Sequence, residues 1–534
     1  MMKRRDKISL LKTIYDGHKD YWDARRNAMK NLSDVYNMRF WDDEDERDGY
    51  VQVADARNQV ESYIASLFSK APSVVVGNDI KAGTGNDPVA EAVVNRFLSN
   101  TAQRITNACR MALIFPCSFL YLLPVSTPDV LDKISVEALA PWDVIVDRTA
   151  NDWESQRWIG RISQITVDAA TELYGDKEYS GHQHIEFFAN EAPLRRGKSK
   201  QSNVPNEYLF VTIVELWDIV GGTKIVWSPD VSSNEGYLKS SEAVLDDRGR
   251  MLIPIIPLYL NTDPSKPLEG TSFLSTIYDQ VKEKNLLRTH MQSQVRRDAR
   301  QYLYPKGAVD EEALALLVTG KDNSFVGVDG DPRQIVPLAT IPISGNYDRY
   351  NNMIDTDLER ANVMASFSRG QSTNVTATEI TALAQYTQSE VGKLARIRDT
   401  AIEEIARIYL QMLWYMIDDS TDEQPVLIVD GKTRILAASD IEGRFRIAAV
   451  DQGSLPIAKA AKQQQLIQLM PMLQGLGVPK DVLLEQIVKV FELDQSLLDA
   501  AKDATKAEAV VPAGEAGAIQ SPGSQPATPP IPLA

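Results

Sequence analysis

Apolar positions recur at helical spacing through the first forty residues, where Leu10, Leu11, Ile14, Tyr15, Tyr21 and Trp22 line one side of a basic segment. The acidic run WDDEDERDG then interrupts the pattern and reads as a solvated loop. Two further helices are predicted, from about Ala54 to Phe68 and from about Asp87 to Ala112. Beyond Pro116 the period becomes that of strands: SFLYLLPV, KISVEALAP and DVIVD, then EYLFVTIVELWDIV, TKIVW and MLIPIIPLYL over 207–260. Asn, Gly, Asp and Ser cluster between these runs, as hairpins and loops require. The first half reads as a mixed α+β body.

The centre differs. A single helical pattern runs from Ser272 to about Leu303 without Gly or Pro, and Pro305-Lys306-Gly307 stops it. Phe273, Ile277, Val281, Leu287, Met291 and Val295 trace its apolar stripe, and such a helix would be about 48 Å long. A compact insert follows to about Ser344, with a short helix (EEALALLV) and strand-like SFVGV and RQIVPLATIPI. A second helix is predicted from about Asn346 to Phe367, with Tyr350, Met353, Ile354, Leu358 and Ala361 on one side. Two long helices bracketing a small insert make a stalk with a tip.

Ser368-Arg369-Gly370-Gln371-Ser372-Thr373-Asn374 is a polar break. Thr376 and Glu379 then have capping-box spacing and open a helix to about Asp418, roughly 60 Å long, with Gly392 as the place for a kink. Strand-like PVLIVD and FRIAAVD follow, then helical segments over 456–474 and 479–503. Residues 506–534 hold six prolines and three glycines and are expected to be disordered. No internal repeat is visible.

A chain of 534 residues is too long for one hydrophobic core, so several subdomains are expected. Lys plus Arg number 57 against 73 Asp plus Glu, a net charge of −16, which disfavours tight general binding to nucleic acid. The longest apolar stretch, Met111 to Val125, is broken by Pro116 and Pro124 and is too short to span a bilayer. The charged N-terminus lacks the apolar core of a secretory signal. Two cysteines, Cys109 and Cys117, cannot build a disulfide framework, and a soluble protein made in a reducing compartment is expected.

Motifs for catalysis are missing. Gly320-Lys321 fails as a phosphate-binding loop, with Ala315 in place of the first glycine and Asp322 after the lysine. No HExxH, CxxC or Gly-x-Ser-x-Gly occurs. His182, His184 and Glu186 could ligate a metal from one strand face, but no further ligands are suggested and two ordinary histidines at a partly exposed strand edge read better. The stretch Glu44, Glu46, Asp48, Gly49 and Asp55 is a poor calcium loop, because glutamates replace the short first ligands. Cys109 and Cys117 read as core residues. The expectation is a protein that is not an enzyme and uses no cofactor or metal.

The first stalk helix carries Lys282, Lys284, Arg288, Arg296, Arg297 and Arg300 against Asp279, Glu283 and Asp298. Each cation singly reads as well as a solvated or inter-helix ion pair, yet their enrichment near 296–300 could face an acidic partner or a passing phosphate backbone. Residues 368–374 fit either a simple connection or a mobile loop projecting into a channel, and their place between the longest helices favours the loop.

The order of these elements resembles the portal proteins of tailed bacteriophages, the head-to-tail connectors, and those of short-tailed phages in particular. The likeness is clearest from about 270 to 418: Gly270-Thr271-Ser272 opening a long helix, the YPKG stop, the insert, the second helix and SRGQSTNVTATEITALAQYTQSEVGKLARIRD. Asn374-Val375-Thr376-Ala377-Thr378-Glu379-Ile380 is similar to the family's start of the long helix, with asparagine replacing the usual basic residue. ALAPWDVIVD (138–147), Trp153, Trp158 and VELWD (214–218) are similar to segments of the portal wing.

The resemblance implies an α+β, mainly helical portal-type fold. Residues 1–270 and 376–455 would form the wing, 271–303 and 346–367 the two stem helices and 304–345 the clip. Residues 368–375 would be the tunnel loop, 456–505 the crown, and 506–534 a tail. It also implies a homo-oligomeric ring, generally of twelve, at one capsid vertex. Double-stranded DNA would pass through it non-specifically during packaging and ejection. Its expected partners are the terminase large subunit, the major capsid or scaffolding protein and a tail adaptor, with no membrane. Its expected places are the virion and, during assembly, the host cytoplasm. The stem cations would face the channel or pair between subunits. A rival reading is a helical scaffold or adaptor of a virion that conducts no DNA; a wide axial hole with a basic inner ring would separate the two. Twelve copies would carry a charge of about −192, so a channel that lets DNA slide should be net repulsive, with at most one or two cationic rings.

Overall fold

The computed structural model describes residues 4–41, 50–78, 87–127, 129–188, 208–231, 236–246, 248–264, 266, 268–298, 302–303, 331, 336–337, 345–361, 377–419, 426–429, 432–436, 440–441 and 445–450. The chain divides into two units, Met1–Ser454 and Leu455–Ala534. Every described residue belongs to the first, so the helices expected over 456–503 and the tail at 506–534 lie outside the described residues, as does the acidic run 42–49.

Eight helices and five antiparallel sheets make up the described part, a mixed α+β architecture. The N-terminal segment forms α1 (Arg4–Asp23) and α2 (Arg26–Tyr36), and the next two helices are α3 (Asp55–Leu67) and α4 (Pro88–Ile114). Asp87 caps α4 by accepting from Ala90 N at 3.2 Å, and Pro88 takes the first helical position, where its missing N–H costs nothing. One face of α4 is apolar from Val89 to Ile114 and buried, Cys109 included.

Strands β2 (Ser118–Pro124), β3 (Ile134–Leu139) and β9 (Ile255–Leu258) form a sheet in the order β3-β2-β9. The larger sheet runs in order from β4 (Val144–Val146) through β5 (Trp158–Thr166), β6 (Phe210–Asp218) and β7 (Thr223–Trp227) to β8 (Tyr237–Glu242). Its register aligns Val146, Ile159 and Trp217 across three strands, and these meet Phe119, Tyr121 and Leu139 of the smaller sheet in one core. The alternate positions, Ile145, Leu216 and Ile225, point the other way and are covered by Leu11, Ile14 and Tyr15 of α1. Gly160 lies between Ile145 and Leu216 in that layer, where an added Cβ would come within 3.0 Å of Leu216. A short α5 (Val167–Tyr174), capped by Thr166 on Ala169 N, flanks Val211, Ile213 and Val226. Period-two alternation is what lets one sheet serve both layers.

The stalk departs from expectation at its root. Ser272, buried, donates its hydroxyl to Ile114 O at 2.6 Å and accepts from Ser275 N at 3.2 Å. This local bonding favours a 3-10 turn at Leu274–Thr276, and Ile277, at φ −115° and ψ 0°, separates that turn from α6 (Tyr278–Asp298). The 21 residues of α6 span about 32 Å, not the 48 Å read from the pattern. Beyond it, β10 (Tyr302–Leu303) pairs with β11 (Val336–Pro337), so the chain leaves and re-enters the intervening insert at one ladder. Helix α7 (Gly345–Ala361) returns antiparallel to α6, with Gln294 against Tyr347 and Lys284 against Asp355.

The long helix α8 (Ala377–Asp419) runs 43 residues without a break at Gly392, where an added Cβ would meet open space. Its buried Ile402, Ile405, Tyr409 and Leu413 tie it to the body. Tyr409 stacks on Phe97 of α4 at 3.9 Å and donates to Leu131 O at 3.1 Å. The remaining strands, β12 (Val426–Val429) with β13 (Lys432–Ile435), and β14 (Phe445–Ala449) with β1 (Val74–Asn78), form two-stranded ladders.

Candidate functional site

Helix α6 is gripped on its inner face by an extended strap, residues 51–53, and by the start of α3. Val51 N donates to Thr289 Oγ1 at 3.0 Å and Val53 N to Asn285 Oδ1 at 2.8 Å. The spacing has a simple cause. Two residues of extended chain advance about 6.7 Å and four helical residues about 6.0 Å, so alternate amides meet side chains at i and i+4. Lys284 completes the joint: its Nζ lies 2.5 Å from Asp55 of α3 and 2.5 Å from Asp355 of α7. The lysine is only 5% exposed, so one buried cation links three helices. Asn351 donates to Asp355 at 3.0 Å from the same side.

Of the readings open for Lys284, a channel-facing or inter-subunit cation or an inter-helix ion pair, this fold has the last: two carboxylates of its own chain converge on it where solvent cannot. Lys282 and Arg288 are exposed. Arg296 and Arg297 lie in the last turns of α6, while Arg300 and the loop Ser368, Arg369, Gly370, Gln371, Ser372, Thr373 and Asn374 lie outside the described residues. The apolar stripe of α6 holds at Ile277, Val281 and Leu287 and ends before Val295, which is 52% exposed. On α7 the apolar positions split. Ile354 and Leu358 are buried toward α6, whereas Tyr350 and Met353 are exposed on a second face. Tyr350 donates its hydroxyl to Glu283, which places it on the open flank shared with Leu286, one turn along α6 from that glutamate.

The other candidate groups are structural. His182 is buried, not at an exposed edge: its Nε2 lies 3.1 Å from Asp230 and 3.2 Å from Thr212, and a bridge to Phe210 holds the backbone. Asp230 loses hydration on burial, but its bonds from His182 and Thr212 N outweigh that and hold its carboxyl below the usual range. His184 packs edge-on against Phe210 instead of joining a ligand set, and no cluster of three metal-ligating side chains occurs among the described residues. Both thiols are buried, and burial pushes Cys109 and Cys117 up to about 12, so neither supplies a thiolate. Asp55, a candidate calcium ligand by spacing, is engaged with Lys284.

Two features escaped the sequence reading. Trp142, within ALAPWDVIVD, centres an aromatic cluster: it stacks on Phe187 at 4.0 Å and meets Phe115 and Trp22 edge-on. His18 of α1 donates to Trp142 O at 2.8 Å, and burial lowers its pKa to about 4, so it stays neutral. Arg398 of α8, 1% exposed, bonds Leu67 O and pairs with Asp399 at 2.6 Å. An arginine inside an otherwise apolar helical stripe is the signal that could have found it.

No family model matches the chain, and no curated protein does. Among solved structures, a chain from the neck of a native GTA particle, computed with C12 symmetry, is similar at 12% identity, covering 82% of this chain and 91% of that one, with a TM-score of 0.36. A likeness at that score fixes neither fold nor role.

Proposed function

We propose that the chain is a portal-type subunit of a phage-like virion, a ring-forming connector whose α6–α7 pair forms the stem around a passage for double-stranded DNA. The observation that carries this reading is the antiparallel α6–α7 pair itself, on which Leu286, Tyr350 and Met353 stay exposed while Leu287, Ile354 and Leu358 of the same pair are buried. Such a flank is stable when a second copy covers it, and a contact repeated by rotation closes into a ring. The β10–β11 ladder supports the reading, because it gathers both ends of the expected clip at the far end of the stem. The chain works without chemistry of its own: the terminase large subunit supplies the packaging energy, and capsid or scaffolding protein and a tail adaptor dock on the ring in the virion. The internal pairing of Lys284 fits a conduit that must not hold its cargo, since every unpaired stem cation would add to the affinity for passing phosphates.

The test removes the apolar flank and nothing else. Leu286→Ser with Met353→Ser should turn a sedimenting oligomer into monomers while helical circular dichroism is unchanged. An oligomer of unaltered mass would contradict the role given to this flank, and a wild type that is monomeric throughout would contradict the reading as a whole.

A further inference from the structure

The side chains that hold the strap repeat one turn further along α6. In the observed register Asn285 and Thr289 receive the amides of Val53 and Val51, and Lys284 receives Asp55. Four residues on, Thr289 and Ser293 offer the same hydroxyl or amide oxygens, and the exposed Arg288 offers the same charge. We propose that the strap joint has two registers, and that the α6–α7 pair can slip one helical turn, about 6 Å, past residues 51–55 with every polar partner replaced in kind.

In the second register Val53 N donates to Thr289, Val51 N to Ser293, and Asp55 pairs with Arg288. The Lys284–Asp355 pair travels with the two helices and is kept. Among the apolar seats of α6, Met291 takes that of Leu287. The exception is Asn285, which would enter the fully buried seat of Val281, and this makes the second register the minor one. A slip the other way has no such support. It would set Val281 against the amide of Val53 and the neutral Gln280 against Asp55. The displacement has a place to go, since the 3-10 turn Leu274–Thr276 and non-helical Ile277 join α6 to the body. A buried joint that can exchange partners is bistable rather than elastic, and it would pass a movement of the stem to α3 as a step.

A cysteine pair in the full-length chain reads the slip; the native thiols are buried. Val51→Cys with Ser293→Cys reports the second register. Under a mild oxidant this pair should cross-link, Lys284→Gln should speed the reaction, and Arg288→Gln should slow it about fivefold or more. No cross-link at all would overturn the proposal, and so would a rate unchanged by Arg288→Gln, which would mean simple fluctuation. Arg288 is exposed, so this last variant carries the test even if Lys284→Gln fails to fold. The readout is internal to one chain and does not depend on whether copies assemble.

Discussion

At the residue scale, burial decides what each ionisable side chain can do. Lys284 is worth keeping because its loss would strand Asp55 and Asp355, not because the triad is intrinsically strong. Lys284→Met should therefore lower unfolding free energy by about 3 kcal/mol in urea titrations, and adding Asp55→Asn and Asp355→Asn should restore most of it. Unchanged stability in the single variant would contradict the joint. His18 gives a pH signature of known sign. Its pKa falls from 6.5 in the unfolded chain to about 4 in the fold, so the unfolded state binds the extra proton between those values. Its neutral form gives full stability above pH 6.5, and stability is lost as pH falls toward 4. His18→Gln can still donate to Trp142 O but cannot titrate, so its melting temperature should fall less than the wild type's between pH 6.5 and 4.

At the scale of elements, the strands and long helices were legible because each repeats its signal. The runs 118–124, 210–218 and 223–227 are short, largely apolar stretches with turn residues between them, and α4 carries a continuous apolar face with a cap before it. What was not legible depends on partners far away in sequence. Lys284 looks like any other stem cation until Asp55, 229 residues distant, is folded against it. The strap has neither period, since it works through two backbone amides, and the root of α6 was misread because Ser272 bonds Ile114 O, a contact no local pattern encodes. The sequence therefore offered an inter-helix ion pair as one reading of Lys284, but could not name its partners. Gly270 tests the root directly. It sits at φ +68°, and a Cβ there would fall 2.1 Å from Pro116 O. Gly270→Ala should lower the melting temperature and soluble yield, while Gly345→Ala, whose added Cβ would meet open space, should cost neither.

At the scale of the whole molecule, the charge of −16 and the uncovered flank of α6–α7 pull in opposite directions. Repulsion between acidic copies opposes assembly, and the apolar flank favours it, so association should strengthen as salt screens the charge. The same acidity suits a passage that repels the backbone it conducts. Electron micrographs of the purified full-length protein test this account most directly. It predicts annular particles with a central hole, made of identical copies joined through the α6–α7 pair. A field of single 59.4 kDa molecules at every salt concentration would contradict it.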